Sequence, residues 1–323
     1  MSKPGNRVMA LTVLLLSALS TAHAQQYPAK PVRFIVGFAP GGGVDISGRI
    51  LAQKLSELWG QTMVVDNRAG AGGTIGSDIA SKAPADGYTL LFCGIWSHGI
   101  APSLYKKLPY EHYKDFAPVS MIGTTPNVLV VNPAVPVKSV SEFIAYTKAQ
   151  NGKVVIASPG TGSSPNMTME LFRLTTGINF VHVPYKGGAP ALVDLLGGHI
   201  QSMFDNMSSQ LAVLKSGRTR ALAVTSAKRS MHLPDVPTMI ESGVKLDVTV
   251  WYGMCAPAAT PKPILAKLNA DLTKVLNMPD TQRRFAEHGV DAGPSTPEQF
   301  AAHIKTETET WARVVRDAKV PQQ

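Results

Sequence analysis

The sequence predicts an α/β fold made of two α/β lobes. Short apolar runs typical of strands alternate along the chain with segments whose apolar residues recur at helical spacing. The order of a strand, a Gly/Ser-rich loop and a helix occurs twice, at residues 33–58 and 154–174. Alternating strands and helices favour layered folds whose sheets are largely parallel. Two such units, far apart in the chain, therefore indicate two lobes.

The first unit begins with the apolar run Val32–Val36 and continues with the glycine-rich loop Gly37–Gly43. A helix is predicted over Val44–Leu58, because its apolar residues recur every three or four positions. Gly60 follows two positions after Leu58 and is typical of a residue that terminates a helix.

The second unit has the same order of elements. A strand is predicted over Val154–Ala157, a loop over Ser158–Ser164 and a helix over Pro165–Leu174. Ser164 is the predicted N-cap of that helix, because its hydroxyl can accept a hydrogen bond from a free helix N–H and proline suits the first helical position.

The other elements follow from the same patterns. The further predicted strands are Met63–Val65, Tyr88–Phe92, Val128–Val131, Met203–Asp205, Ala221–Thr225 and Val248–Met254. The further predicted helices are one through Ile75 and Ile79, one that starts at a capping box of Ser139 and Glu142, Ala189–Leu196, Ile264–Leu276, and Pro297–Val315 with Thr296 as its cap.

The amino-terminal residues and the charge bear on compartment and partners. Lys3 and Arg7 precede the apolar run Val8–Leu19, and Ala22–Ala24 provides the small residues of a cleavage site. This order is typical of a secretory signal peptide and predicts a protein exported to the periplasm after removal of residues 1–24.

The mature chain then has 29 basic and 22 acidic residues, a net charge of +7. The basic residues are dispersed and not interleaved with aromatic ones, which argues against nucleic-acid binding and favours small anions.

The composition also limits metal and cofactor chemistry. With 44% hydrophobic residues the chain can bury a core, which excludes a disordered protein. Neither Cys-x-x-Cys nor His-Glu-x-x-His occurs and the eight histidines are scattered, so a zinc site is not expected. We expect the protein to bind neither a metal nor a cofactor. The two cysteines, Cys93 and Cys255, could pair in an oxidising compartment. Each also lies in an apolar run, where free buried cysteine is common, so the sequence leaves their pairing open.

The two glycine-rich loops are the strongest candidates for a binding site. Glycines between a strand and a helix leave backbone N–H groups exposed, and the helix dipole favours an anion there. The first loop lacks the spacing of a dinucleotide fingerprint and the Gly-Lys-Ser/Thr of a P-loop. The second loop adds hydroxyl groups, those of Ser158, Thr161, Ser163 and Ser164. Because both loops follow strands, they are expected to face each other across a crevice and to hold an acid between them.

Patterns for catalysis are weaker. No Gly-x-Ser-x-Gly elbow occurs, and Ser103-x-x-Lys106 is so short that the same pattern recurs at Ser242. Asp45, His98 and Asp205 could form an acid–base site, but capping and ordinary polar roles explain each of them individually.

Seven stretches resemble the tripartite tricarboxylate transporter substrate-binding receptors, which are the Bug family of periplasmic solute-binding proteins. The stretches span the mature chain: Phe38–Arg49, Val65–Leu91, Tyr110–Val119, Ser158–Phe172, Val183–His199, Leu222–Pro237 and Trp251–Pro257. The resemblance implies a periplasmic binding protein-like (type II) Venus flytrap, in which two lobes joined by crossover strands close on a ligand. With Pro-rich stretches near residues 132–136 and 233–237, we expect lobe I at 25–125 and 232–323 and lobe II at 126–231.

The resemblance also implies the binding residues. These are Phe38, Gly41, Gly42 and Asp45 in the first loop, Trp96 and Ser97 after the third strand, Ser158, Gly162, Ser163, Ser164 and Asn166 around the second loop, and Tyr185 and Asp205 after two strands of lobe II. Asn166 departs from the family, which often has His there, and cannot become charged. Trp96 could stack on an aromatic acid or form a wall of the cleft.

The function implied is that of a monomeric receptor without enzymatic activity or cofactor. It would capture a small organic carboxylate or dicarboxylate and deliver it to the membrane components of a tripartite transporter. Two alternatives stay open at this point: a sensor that presents its closed form to a signalling kinase, and a secreted hydrolase that uses a serine of the second loop.

Overall fold

The computed structural model describes residues 27–317 and 319–323, so the predicted signal peptide lies outside the described residues. The strands are β1 Val32–Val36, β2 Met63–Asn67, β3 Thr89–Gly94, β4 Phe116–Val131, β5 Val155–Ser158, β6 Val181–Pro184, β7 Ser202–Asn206, β8 Arg220–Val224, β9 Thr249–Pro257 and β10 Asp291–Ala292.

The α-helices are α1 Gly43–Trp59, α2 Thr74–Ser81, α3 Ala101–Leu104, α4 Val140–Ala149, α5 Ser164–Thr176, α6 Gly188–Leu196, α7 Met207–Lys215, α8 Lys262–Leu276, α9 Pro279–Glu287 and α10 Pro297–Asp317. A 3₁₀ turn covers Ala71–Gly73, and a π-helical segment covers Ile95–Ile100. Within the described residues, every helix is too short or too polar to cross a membrane.

The strands form two sheets that share β4. In the first sheet the order is β2-β1-β3-β9-β4, with β1 parallel to β2 and β3. In the second sheet β5 is parallel to β6 and β7, and β4 is antiparallel to β7 and β8. We call the first sheet with its helices lobe I and the second sheet with α4–α7 lobe II.

The long strand β4 carries the chain from one lobe to the other. Its residues Phe116–Pro126 pair with β9, and Asn127–Val131 pair with β7 and β8. The sequence predicted only Val128–Val131 as a strand, because prolines and glycine are depleted in strands. The structure accommodates Pro118 and Gly123 at two register shifts against β9, where the ladder is locally broken.

The core is continuous across this connection. One cluster of buried residues extends from Phe34 and Phe92 in lobe I to Leu129 on β4 and Phe172 on α5. Val128, the neighbour of Leu129 on β4, belongs to a second cluster, on the other face of the lobe II sheet. The two faces are expected for a strand that is buried on both sides, since successive side chains point in opposite directions.

The structure joins Cys93 on β3 to Cys255 on β9 by a disulfide, with their Cα atoms 6.0 Å apart. Both residues are fully buried on neighbouring antiparallel strands. The pairing that the sequence left open is thus made within lobe I.

Candidate ligand cleft

Four glycine-containing loops meet where the two lobes face each other. The loop after β1 and the Gly70–Gly73 turn belong to lobe I, whereas the loop after β5 and residues 185–187 after β6 belong to lobe II. The Ala39 N–H donates a hydrogen bond of 3.0 Å to the Lys186 carbonyl across the interface. A Cβ on Gly72 would lie only 2.5 Å from the Thr161 carbonyl oxygen. The lobes are therefore closed on each other, and glycine is what allows this approach.

A cavity of about 180 Å³ lies between these loops. Its lining residues come from both lobes: Phe38, Gly70, Ala71, Gly72, Gly73, Pro159, Gly160, Thr161, Pro184, Tyr185 and Lys186. Lys186 is the charged residue in this lining, so the cavity favours an anion. Larger cavities occur in the described part of the chain, but the glycine-containing loops at the interface of the lobes do not line them.

Two helices begin at the cleft with glycine caps. The N-cap residues are Gly42 for α1 and Gly187 for α6, and neither helix has a side-chain cap. The N–H groups in the first turn of a helix have no partner within the helix and carry the positive end of its dipole. These two helix starts therefore offer backbone donors to the oxygens of a carboxylate.

Asp45 fixes the conformation of the first loop. Its buried carboxylate accepts hydrogen bonds from the Gly41 N–H at 2.8 Å, Asn67 Nδ2 at 2.8 Å and Arg49 Nε at 2.9 Å. Asn67 also donates to the Phe38 carbonyl. Asp45 is thus engaged with the protein, and its contribution is to shape the loop that presents Phe38 and the helix start.

The second loop is held by its own side chains. Ser163 donates to the Gly160 carbonyl at 2.6 Å and accepts from the Asn166 N–H, while the Asn166 side chain accepts from the Gly162 N–H at 2.9 Å. Ser163 is therefore the N-cap of α5, and the predicted cap at Ser164 was wrong by one residue.

The remaining hydroxyls of this loop differ in their partners. The Ser158 hydroxyl lies 2.8 Å from His182 Nε2 and accepts from the Gly160 N–H. Among the described residues, the Ser164 hydroxyl has only a long contact of 3.5 Å from Asn206 Nδ2. Of the serines in the predicted set, Ser164 is thus the least engaged by the protein.

Comparison with known proteins identifies the family. Residues 48–320 match the tripartite tricarboxylate transporter family receptor. Protein BugT of Bordetella pertussis is 40% identical over 316 residues, which cover 96% of this chain and 96% of BugT. The chain belongs to the tripartite tricarboxylate transporter receptor family.

Solved structures agree with this assignment. The periplasmic binding protein BugD matches with a TM-score of 0.89 and 37% identity, over 92% of this chain and 100% of BugD. Rpa4515 of R. palustris, solved with adipate, matches with a TM-score of 0.88 and 34% identity, over 91% of this chain and 99% of that protein. The predicted two-lobed, type II fold is confirmed.

Proteins of this receptor family are periplasmic and bind solutes without enzymatic activity. The hydrolase alternative was therefore wrong, although Ser158 and His182 are hydrogen-bonded. No hydrogen bond joins Asp45, His98 and Asp205 to one another within residues 27–317. In this receptor each of them is bonded to other groups instead.

Trp96 and Ser97 lie behind the cleft of the receptor. Trp96 is buried, stacks on Phe92 and contacts Phe38 edge-on, with ring centroids 5.1 Å apart. A Cβ on Gly73 would lie 2.7 Å from the Trp96 ring, so Gly73 stands in front of it. The Ser97 hydroxyl bonds within the π-helical segment, to the Gly94 carbonyl and to His98 Nδ1. Neither side chain lines the cavity.

Tyr185 and Asp205 occupy different positions. Tyr185 lines the cavity, and its hydroxyl donates to Asp194 Oδ2 at 2.5 Å. Asp205 is buried below the start of α6 and accepts hydrogen bonds from the Asn206 N–H, Ser209 and Gln210. Burial raises the pKa of Asp205 to about 6 against these hydrogen bonds, which lower it.

This shift predicts a pH dependence of stability. The unfolded aspartate releases its proton near pH 4, so between about pH 4 and 6 the folded receptor holds a proton that the unfolded chain has lost. Stability from this proton is greatest at acid pH and is lost as the pH rises through about 6. As the pH rises from about 4.5 to 7.5, release of the proton from Asp205 is expected to lower the free energy of unfolding by about 2 kcal/mol.

Urea unfolding at these two pH values measures the effect. In Asp205→Asn, this loss of about 2 kcal/mol in the free energy of unfolding between the two pH values should disappear. In Asp235→Asn, a control at an exposed position, the loss should be the same as in the wild type. Equal pH dependence in the wild type and Asp205→Asn would contradict the assignment.

Sequence reasoning did not single out several residues that line the cavity. Gly70–Gly73, Pro184 and Lys186 belong to two of the stretches that resemble the family, but they were not chosen as site residues. The glycine pairs at 72–73 and 187–188, each before a helix, are the signal that could have found them.

Proposed function

We propose that this receptor captures a small organic carboxylate or dicarboxylate between its lobes and delivers it to the membrane components of a tripartite transporter. The observation that carries this proposal is the meeting of two glycine-capped helix starts beside a cavity that both lobes line and whose charged lining residue is Lys186. Backbone N–H groups and a lysine recognise a carboxylate, while the apolar ring of Phe38 can accommodate a carbon chain. Adipate in Rpa4515 is an acid of this class.

We further propose that ligand release requires rotation of the lobes about β4 and the returning chain near Val248. The first lobe boundary at residue 126 agrees with the change of β4 partners after Pro126. Beyond the second predicted boundary, Met239 still donates to the Val224 carbonyl, and Val248 donates to Thr225. We therefore propose that the chain returns to lobe I at Val248 rather than at residue 232.

Export of the mature chain to the periplasm and action as a monomer complete the proposal. In this arrangement the closed form, with ligand enclosed, is the form that the membrane components recognise. The dispersed positive charge of the chain would steer anions to the cleft and raise the association rate.

A thermal-shift screen of the mature receptor tests the proposal. Aliphatic and aromatic mono- and dicarboxylates, including adipate, are compared with their neutral carboxamides. We expect at least one acid to raise the melting temperature and its carboxamide to have no effect, because binding to the native state stabilises it. A screen in which no acid is distinguished from its amide would refute carboxylate capture.

Two variants test the cleft itself. Lys186→Met should weaken binding of the best acid about fivefold, as expected for loss of an exposed charge interaction. Ser164→Ala should also weaken it, because this hydroxyl is largely free of protein partners. Lys148→Met, at an exposed position on α4, is the matched control and should bind normally. Unchanged affinity in both cleft variants would place the ligand elsewhere.

A further inference from the structure

Residues 185–187, which join β6 to α6, lie between the two lobes at the cleft, and we call them the strap. The Lys186 carbonyl accepts the hydrogen bond of 3.0 Å from the Ala39 N–H of lobe I. A Cβ on Gly187 would lie 3.0 Å from the Cβ of Ala39, so the backbones are in close contact. Tyr185 and Lys186 also line the cavity. The conformation of the strap therefore affects both the walls of the cavity and the contact between the lobes.

A side-chain hydrogen bond ties the strap to α6. The Tyr185 hydroxyl donates to Asp194 Oδ2 at 2.5 Å, and Asp194 lies in the second turn of α6, which begins directly after the strap. Burial and this carboxylate raise the pKa of Tyr185 to about 12, and the hydrogen bond from Tyr185 lowers the pKa of Asp194. At neutral pH the phenol is therefore protonated and the carboxylate is charged. Such charge-assisted hydrogen bonds are roughly twice as strong as neutral ones.

The bond to Asp194 also decides what Tyr185 offers to a ligand. A phenol has one proton to donate, and Asp194 accepts it. The hydroxyl is thus not available as a donor to a carboxylate in the cavity, and the aromatic ring is what Tyr185 contributes to the lining. At the other side of the residue, the Tyr185 N–H donates to the Ser158 carbonyl at 3.0 Å. Backbone and side chain of Tyr185 are therefore both held within lobe II.

We propose that Asp194 is a positioning residue for the ligand cleft. It lies outside the cavity lining and acts through Tyr185, whose ring and backbone it holds in the conformation that contacts lobe I. Without this bond the strap gains conformational freedom, and the Lys186–Ala39 hydrogen bond between the lobes breaks more often. An enclosed acid then escapes more often, while its first encounter with the open cleft is unchanged. The effect on the acid rests on the proposed function, whereas the effect on the strap does not.

Amide hydrogen exchange of the ligand-free mature receptor, followed by NMR, tests the strap without any acid. The Ala39 N–H, whose acceptor is in the strap, is expected to exchange about tenfold faster in Tyr185→Phe and in Asp194→Ala than in the wild type. The Arg33 N–H, which is hydrogen-bonded within lobe I, is the internal control and should exchange at an unchanged rate. Exchange of Ala39 at the same rate in all three proteins overturns the proposal.

Stopped-flow measurement of the release of the best acid of the screen tests the consequence for binding. Tyr185→Phe and Asp194→Ala should each raise the dissociation rate about tenfold and leave the association rate unchanged. Asp194→Asn keeps an acceptor but loses the charge, so the increase should be only about threefold. The double variant Tyr185→Phe/Asp194→Ala should release the acid no faster than either single variant, because both changes remove the same bond. Tyr113→Phe and Asp235→Ala, at exposed positions, are the controls and should behave as the wild type.

The charge of Asp194 separates the hydrogen bond from simple electrostatics. Loss of a negative charge alone would strengthen the binding of an anion, and Tyr185→Phe changes no charge. Faster release in both variants therefore identifies the bond as the cause. Faster release in Tyr185→Phe alone would mean that the phenol contacts the acid directly, and it would overturn the positioning role. If no acid of the screen binds, the proposed function fails, and the exchange of Ala39 still decides this proposal.

Discussion

Replacing Cys93 and Cys255 together by alanine is expected to lower the free energy of unfolding by about 5 kcal/mol. The disulfide closes a segment of 162 residues, which includes all of lobe II. Cross-linking so distant a pair removes much of the conformational entropy of the unfolded chain, and the gain grows with the length of the closed segment. Both cysteines lie within lobe I, so the bond does not hinder movement of the lobes.

Urea unfolding of the oxidised wild type and the double variant measures this loss. The wild type unfolded and refolded under reducing conditions is the control, because it lacks the bond but keeps the sulfur atoms in the core. Acid affinity should be the same in the variant, since the disulfide lies outside the cavity lining. Equal urea midpoints for the oxidised wild type and the variant would contradict the prediction.

Gly43→Ala is expected to weaken acid binding about a hundredfold, which corresponds to roughly 2 to 3 kcal/mol of overpacking. Gly43 is the first residue of α1, and α7 of lobe II packs directly against it. A Cβ there would overlap the Ser208 hydroxyl and lie 2.9 Å from its Cβ. Ser208 cannot move away freely, because its hydroxyl is hydrogen-bonded to that of Tyr252 at 3.0 Å. Because Gly43 and Ser208 belong to different lobes, we expect opening of the lobes to relieve the overlap.

Gly43→Ala should therefore lower the affinity for the acid without lowering the stability of the ligand-free protein. Alanine is a better helix former than glycine, so the melting temperature without ligand should not fall. Isothermal titration with the best acid measures the loss, and Gly293→Ala, where a Cβ meets no atom within 4 Å, is the control. Adding Ser208→Gly to Gly43→Ala should recover part of the affinity. Normal affinity in Gly43→Ala would show that the lobes need not approach this closely.

Elements with local signals were predictable from the sequence. The unit of β1, glycine-rich loop and α1 is encoded by an apolar run, consecutive glycines and helical periodicity within about thirty residues. The first eleven residues of β4 were missed because their strand character depends on pairing with β9, more than a hundred residues later. Helix α7 was also missed. Its Ser208 and Gln210 are buried among polar partners from other elements, a context that periodicity does not report.

The candidate site was predictable to the level of its loops but not of its side chains. Asp45 follows the glycines of the first loop and has the appearance of a ligand contact. Arg49 lies one turn along the same helix, whereas Asn67 on β2 reaches the carboxylate only in the folded lobe, where Asp45 holds the Gly41 N–H of that loop. No sequence pattern distinguishes Lys186 from the other lysines. It becomes part of the cavity because the two lobes close around it.

The sequence by itself determined the α/β class, the family and the glycine-rich starts of the helices that face the cleft. These depend on short runs of residues and on the freedom of glycine to leave backbone N–H groups uncovered. Only the tertiary structure decided that Cys93 pairs with Cys255, that Ser163 rather than Ser164 caps α5, and that Trp96 stands behind Gly73. Each of these depends on distances between residues far apart in the chain, or on the direction of one side chain, and neither is contained in a local pattern.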